Sequence, residues 1–392
     1  MKYADIRMLC EAGLITEEQR ERIIAHYHLK EEGGRFLAIV SFIGAVLIAA
    51  GIILLVAANW EEIPALLKIA AGLLLMLGAH AGGWYLHETR QSYRKTGEAL
   101  HFVGSGLFLG NIALVGQIYH LSSRPPNAIL LWWAGIAALP WLLRSKAQHI
   151  LVLLVFGLWF GLEINQEGSW LYFGNDQRQL LLYALLGLIY LGTGYCLRRT
   201  ACAEFASPGE KLGLLIFLGS LYPLTWRHFY DNPERLPGNP WLVFASLAVL
   251  ATGFLIAGLR NATNLTRQWR LTWGSALVGA VLLLALELVA RTTLVTGYEY
   301  HVEVCSWIMT VALLVFCLLQ IQVGLQERSA FMVNLGLVFI ALDIITSYVD
   351  LIGSMAQTGL MFLVSGVFLI GLGVYLEKKR RTLLRQIRET SP

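Results

Sequence analysis

Six polar residues stand inside or at the edges of long apolar stretches: Gln117, His120, Glu287, Asp343, Ser347 and Asp350. An amide, an imidazole and carboxylates are costly to bury in hydrocarbon, so such positions mark polar pathways or binding cavities unless they pair with neighbours. Helical geometry sorts them. At 100° per residue, Gly106, Gly110, Gln117 and His120 fall within about 40° of one line, and Gly336, Asp343, Ser347 and Asp350 make a second stripe. The glycines would let a neighbouring backbone approach, with Gln117 and His120 facing that neighbour. The two stripes are expected to line one outward-facing polar cavity. The competing reading is structural, with Gln117 as interhelical glue and His120 and Asp350 as solvated helix ends. Glu287 precedes Arg291 by four residues, so an i,i+4 bridge competes there with proton or cation handling.

Other groups read as structural. Lys68 can snorkel toward Glu61 or Glu62, and His80 and His101 suit hydrogen-bonded packing positions. Asn59 and Pro64 suit the ends of the helices around the motif Asn59, Trp60, Glu61, Glu62, Pro64. Gly359, Gly366 and Gly373 form a smooth ridge seven residues apart. The five cysteines have neither metal-ligand spacing nor a disulfide rhythm. No glycine loop precedes a Lys-Ser/Thr pair, and no His-Glu-x-x-His or Gly-x-Ser-x-Gly occurs. No catalytic set, metal site or cofactor is therefore expected. An intramembrane enzyme built on His120, Glu287 and Asp343 would lack a nucleophile.

The elements that must position these residues follow from composition. Apolar residues make up 56% of the chain and charged residues 14%, against about 25% charged in soluble domains. Runs 36–58 and 65–86 each exceed the roughly 20 residues a helix needs to cross a bilayer. The short turn between them forces opposite crossing directions. Five more hairpins follow: 99–121 with 129–143, 149–163 with 179–197, 212–230 with 241–259, 272–290 with 303–324, and 330–349 with 358–376. The fold class is all-α integral membrane, a bundle of about twelve transmembrane helices in six hairpins. The fourth and fifth spans, near fifteen residues each, leave a count of ten open.

Residues 1–33 read as a small cytosolic helical unit, with Gly13 as a C-cap and Thr16 and Gln19 as a capping box. Residues 34–376 form the polytopic domain, and 377–392 a basic tail suited to anionic headgroups. No cleavable leader is expected, since the first 33 residues are charged throughout. With the N-terminus inside, 24 of the thirty Lys and Arg fall on the cytoplasmic side and five on the outer side. That asymmetry predicts cytoplasmic N- and C-termini. Twelve carboxylates gather on the outer side, which favours cations there. The basic residues are spread rather than patched, so nucleic acid is not an expected partner. The sequons at Asn261 and Asn264 fall in an inner loop and are expected to stay unmodified.

Residues 57–64 (Ala-Ala-Asn-Trp-Glu-Glu-Ile-Pro), the later Gln117-Ile118-Tyr119-His120-Leu121 and a short helical unit before the first span occur together. They resemble the bacterial membrane-protein family catalogued as domain of unknown function twenty-one fifty-seven, over about residues 5–150. The close at Tyr348-Val349-Asp350-Leu351, then a span and Glu377-Lys378-Lys379-Arg380-Arg381, is similar to the end of longer members. The resemblance implies a bacterial inner-membrane protein of unassigned biochemistry, with a separate periplasmic protein as a partner, and supplies no catalytic residues. The functional expectation is a permease for a small polar or cationic solute or a lipid-linked headgroup. The alternative is a non-catalytic scaffold that docks a periplasmic partner. Membrane lipid is an expected partner in either case.

Overall fold

The computed structural model describes residues 60–89, 94–122, 124–173, 179–226, 240–262, 264–293 and 298–352, with isolated positions nearer both ends. No strand occurs among them. The chain divides into two compact units, Met1–Ala71 and Gly72–Pro392. The helices in order are α1 (Ala65–Trp84), α2 (Arg94–Ile118), α3 (Pro125–Ile136), α4 (Leu139–Leu143), α5 (Lys146–Asn165) and α6 (Gln179–Leu197). Then come α7 (Ala206–Leu221), α8 (Pro240–Leu259), α9 (Arg267–Thr293), α10 (Tyr298–Gln326) and α11 (Ala330–Ile352). Counting α3 and α4 as one, nine helices among the described residues are long and apolar enough to cross a membrane.

In the first unit the capping box forms as expected. Thr16 N–H donates to Gln19 Oε1 at 2.9 Å and Gln19 N–H to Thr16 Oγ1 at 3.3 Å. Gly13 takes the left-handed conformation (φ +70°), which glycine adopts without steric cost. The carbonyl of Pro64 accepts from Lys68 N–H at 3.1 Å and so opens α1. Lys68 Nζ lies 4.4 Å from the centre of the Trp60 ring. That cation–π contact replaces the expected reach toward Glu61 or Glu62, which are both exposed.

The second unit is organised around α6. Its sequence is apolar on every side and most of its side chains are buried. Glycines let two neighbours reach its backbone. A Cβ on Gly213 of α7 would stand 2.6 Å from Gly187 O, and one on Gly258 of α8 would stand 2.6 Å from Gly192 O. Aromatic rings extend this core to α9 and α10. The fully buried Trp273 donates to Tyr195 Oη at 3.1 Å and packs on Phe316, 5.0 Å between ring centres.

The span expectations change in three places. The fourth and fifth spans lengthen into their flanks, to Pro125–Leu143 (19 residues) and Lys146–Asn165 (20 residues). The fourth is interrupted before Pro140, whose missing N–H leaves a place in the helix ladder unfilled. The seventh starts earlier, at Ala206, and gives way at Tyr222–Thr225 to a 3₁₀ turn containing Pro223, so it is not among the nine. Spans 36–58 and 358–376 lie largely outside the described residues. Of the six expected hairpins, α2 with α3 and α9 with α10 are in contact, and the six-hairpin arrangement as a whole is not shown among the described residues. The closest helix pairs are α6 with α7 and α8, α10 with α11, and α3 with α5. Several of these join helices across the connections drawn as inner turns. Those connections are short, and glycines within the helices, such as Gly187, Gly213 and Gly336, admit backbone contact.

Candidate functional site

Asp343 is the most deeply placed carboxylate among the candidates. It lies on α11, about 20 Å along the helix from Ala330 at 1.5 Å per residue. It is 1% exposed, and its Oδ1 has no hydrogen-bond partner among the described residues. Gly336 explains how α11 comes so close to α10, because a Cβ there would stand 3.1 Å from Cys317 O. Gln320 of α10 donates to Met332 O at 3.0 Å and fixes the antiparallel register. Carried along both helices, that register brings Asp343 level with the part of α10 around Thr310.

Hydroxyls gather at that level. Ser306 donates to Thr225 O, and Thr310 donates to Ser306 O at 3.0 Å. Thr346, one turn beyond Asp343, shares a hydrogen bond with the Tyr222 hydroxyl. The 3₁₀ turn after α7 makes this arrangement by presenting Tyr222 and the Thr225 carbonyl to α11 and α10. Tyr222 is held edge-on against Phe339 and Trp226. A carboxylate and hydroxyl and carbonyl oxygens at one level of the bundle are donor types that suit hard cations and proton exchange.

The other candidates are distributed as follows. Ser347 is half-buried on the same helix, and the side chain of Asp350 lies outside the described residues. Glu287 is buried on α9; the side chain of Arg291, its expected partner, lies outside the described residues, as does Asn59. Gln117 and His120 are exposed, and His120 closes α2 in the left-handed region (φ +48°). Gly106 and Gly110 have open space where a Cβ would be. The packed side of α2 is a different one. α2 meets α3 and α5, whereas α11 meets α10 and α7, so the two stripes belong to different sets of helices.

The packed side of α2 carries a polar seam that the sequence reading did not assemble. His80 and His101 face one another with Nδ1 atoms 3.1 Å apart, and His80 lies over Gly104. Asn111 donates to Gly72 O at 3.1 Å. One turn from His101, the fully buried Ser105 donates to Gln148 Oε1 of α5 at 2.9 Å, while Trp132 of α3 donates to Ser105 O at 2.7 Å. Gly97, His101, Gly104 and Asn111 follow a heptad rhythm, and this was the readable signal.

A third polar group ties helix ends together. Arg198, just past α6, donates through Nε and Nη2 to Glu210 at 2.6 and 2.8 Å. Its Nη1 meets both oxygens of Glu327 at 2.7 and 2.9 Å. The guanidinium also lies over the Tyr195 ring at 4.4 Å. Burial alone would lower the arginine's pKa; its hydrogen bonds to the two glutamates outweigh that and hold it well above its ordinary range.

Residues 7–149 match the model of a family described as "Predicted membrane protein (DUF2157)", close to the extent over which the sequence resembles it. The match spans the His80–His101–Ser105–Gln148 seam and ends well before Asp343. No curated protein and no solved structure matches the chain. With nine long apolar helices among its described residues, the chain is a multi-pass membrane protein.

Proposed function

We propose that this protein is a permease that carries a small cation, or a proton with a polar solute, past Asp343. The observation that carries this reading is the buried, incompletely hydrogen-bonded Asp343 carboxylate among the helices. An ionised carboxylate in such surroundings needs a compensating cation, and the cheapest one is a cation that passes. The hydroxyls of Tyr222, Ser306, Thr310 and Thr346 supply neutral oxygens in place of water. In this reading the Asp343 end of the bundle faces outward and the end with most of the arginines faces the cytoplasm, in a bacterial inner membrane with both termini inside. The chain moves its solute without transforming it.

The test is flux in liposomes reconstituted with the purified protein, using a pH-sensitive dye and a panel of monovalent cations. Asp343→Asn is expected to lower flux at least tenfold at unchanged membrane abundance, and Asp343→Glu to keep part of it. Equal flux in the wild type and Asp343→Asn would overturn the reading, as would wild-type liposomes no leakier than empty ones.

A further inference from the structure

The turn between α8 and α9 and the first turn of α9 carry Arg260, Arg267 and Arg270, with no Asp or Glu in residues 260–271. All three arginines line one groove of about 660 Å³ between these helices. The remainder of the groove is mostly aliphatic, with Ile256, Leu271 and Val278 along its walls and Ser275 as its one hydroxyl. Arg260 and Arg267 are exposed and Arg270 is half-buried. Among the described residues none of the three side chains has an ion pair, and the buried Nε of Arg270 has no hydrogen-bond partner. That contrasts with Arg198, whose guanidinium is held by two glutamates.

A cluster of three uncompensated guanidiniums at the head of an apolar slot fits one kind of molecule. The head must be anionic and rich in oxygen acceptors, because guanidinium forks pair best with phosphate or carboxylate. The body must be a hydrocarbon chain, because the walls beyond the arginines are mostly aliphatic. The setting supplies such a molecule, since both helices are candidate membrane spans and basic pockets between spans hold anionic headgroups.

The geometry points to an anionic phospholipid seated between α8 and α9, its phosphate on Arg260, Arg267 and Arg270 and one acyl chain along Ile256, Leu271 and Val278. The site is separate from Asp343 and does not depend on the permease reading. It is a structural lipid site that completes the charge balance of this turn.

The experiment uses the full chain purified in a neutral detergent, with native mass spectrometry and thermal unfolding as paired readouts. The probes are phosphatidylglycerol, phosphatidylcholine and soluble glycerol 3-phosphate. Phosphatidylglycerol is expected to bind in one copy above background and to raise the unfolding midpoint, and the other two are not. Each arginine removed should weaken that binding roughly fivefold, in line with the contribution of one basic side chain near an anionic surface. Arg267→Gln tests this at an exposed position where folding is not at stake. The triple variant Arg260→Gln, Arg267→Gln, Arg270→Gln should lose the bound lipid, while Arg199→Gln, an exposed control, should keep it. Equal binding of phosphatidylcholine, or retention by both Arg267→Gln and the triple variant, would overturn the proposal. Binding of glycerol 3-phosphate as tight as that of the lipid would overturn it too, by showing a soluble-anion site.

Discussion

Arg198 serves two carboxylates at once, and Glu327 is almost wholly buried while Glu210 and Arg198 are less than one-fifth exposed. Its guanidinium stays charged at any ordinary pH, so the group acts as a permanent clamp and not as a switch. Arg198→Ala would leave two glutamates without their cation, at a cost of about 3 kcal/mol for breaking a buried pair from one side. The expected outcome is a clear drop in the thermal unfolding midpoint of the detergent-purified protein. Arg198→Lys should fall between the two, because an ammonium keeps the charge and loses the fork. Sequence showed only part of this chemistry. Asp343 was legible as a carboxylate in an apolar run. The clamp was not, since its members lie on separate helices and each alone resembles an ordinary charge at a helix end. His80 and His101 were legible as packing residues, but their meeting depends on how α1 and α2 are turned toward one another.

Helices here are selected by apolar length and positioned by glycine. The first property is local, and every span expected within the described residues is represented by a helix. The second requires knowing the partner, which is why sequence spacing points to Gly106 and Gly110 while Gly187, Gly192 and Gly213 make the contacts. Gly213→Ala places a methyl 2.5 Å from Leu191 N and 2.6 Å from Gly187 O. Backbone atoms cannot rotate aside, so α7 must shift from α6, at roughly 1–3 kcal/mol for an overpacked interior. Gly219→Ala on the same helix meets nothing within 4 Å and should be neutral or slightly stabilising, by up to about 1 kcal/mol. Comparing the unfolding midpoints of the two variants separates contact from propensity. Equal effects would mean that the α6–α7 approach is not what holds the pair.

At the scale of the whole second unit, the two ends of the bundle are built differently. At one end Arg198 joins α6 to α7 and to the turn between α10 and α11. Beside it, Asn261 in the α8–α9 turn donates to Tyr195 O and Cys196 O at 3.3 and 3.1 Å. This end also carries Arg199, Lys211, Arg260, Arg267, Arg270 and Arg328. A reporter inserted after Asn264 should therefore be active as a cytoplasmic fusion, and one inserted after Glu167, at the far end of α5, should behave as external. The opposite pattern would reverse the orientation and put Asp343 nearer the cytoplasm.

The same cross-bracing has a mechanical consequence. Helices whose ends are tied by charged groups at one rim, and linked toward the other, among the described residues, by neutral hydroxyl contacts such as Ser306 to Thr225 and Tyr222 to Thr346, behave like tongs. The grip stays shut and the tips part, so breathing of this bundle would wet Asp343 from its own side long before it loosened the arginine-bound rim.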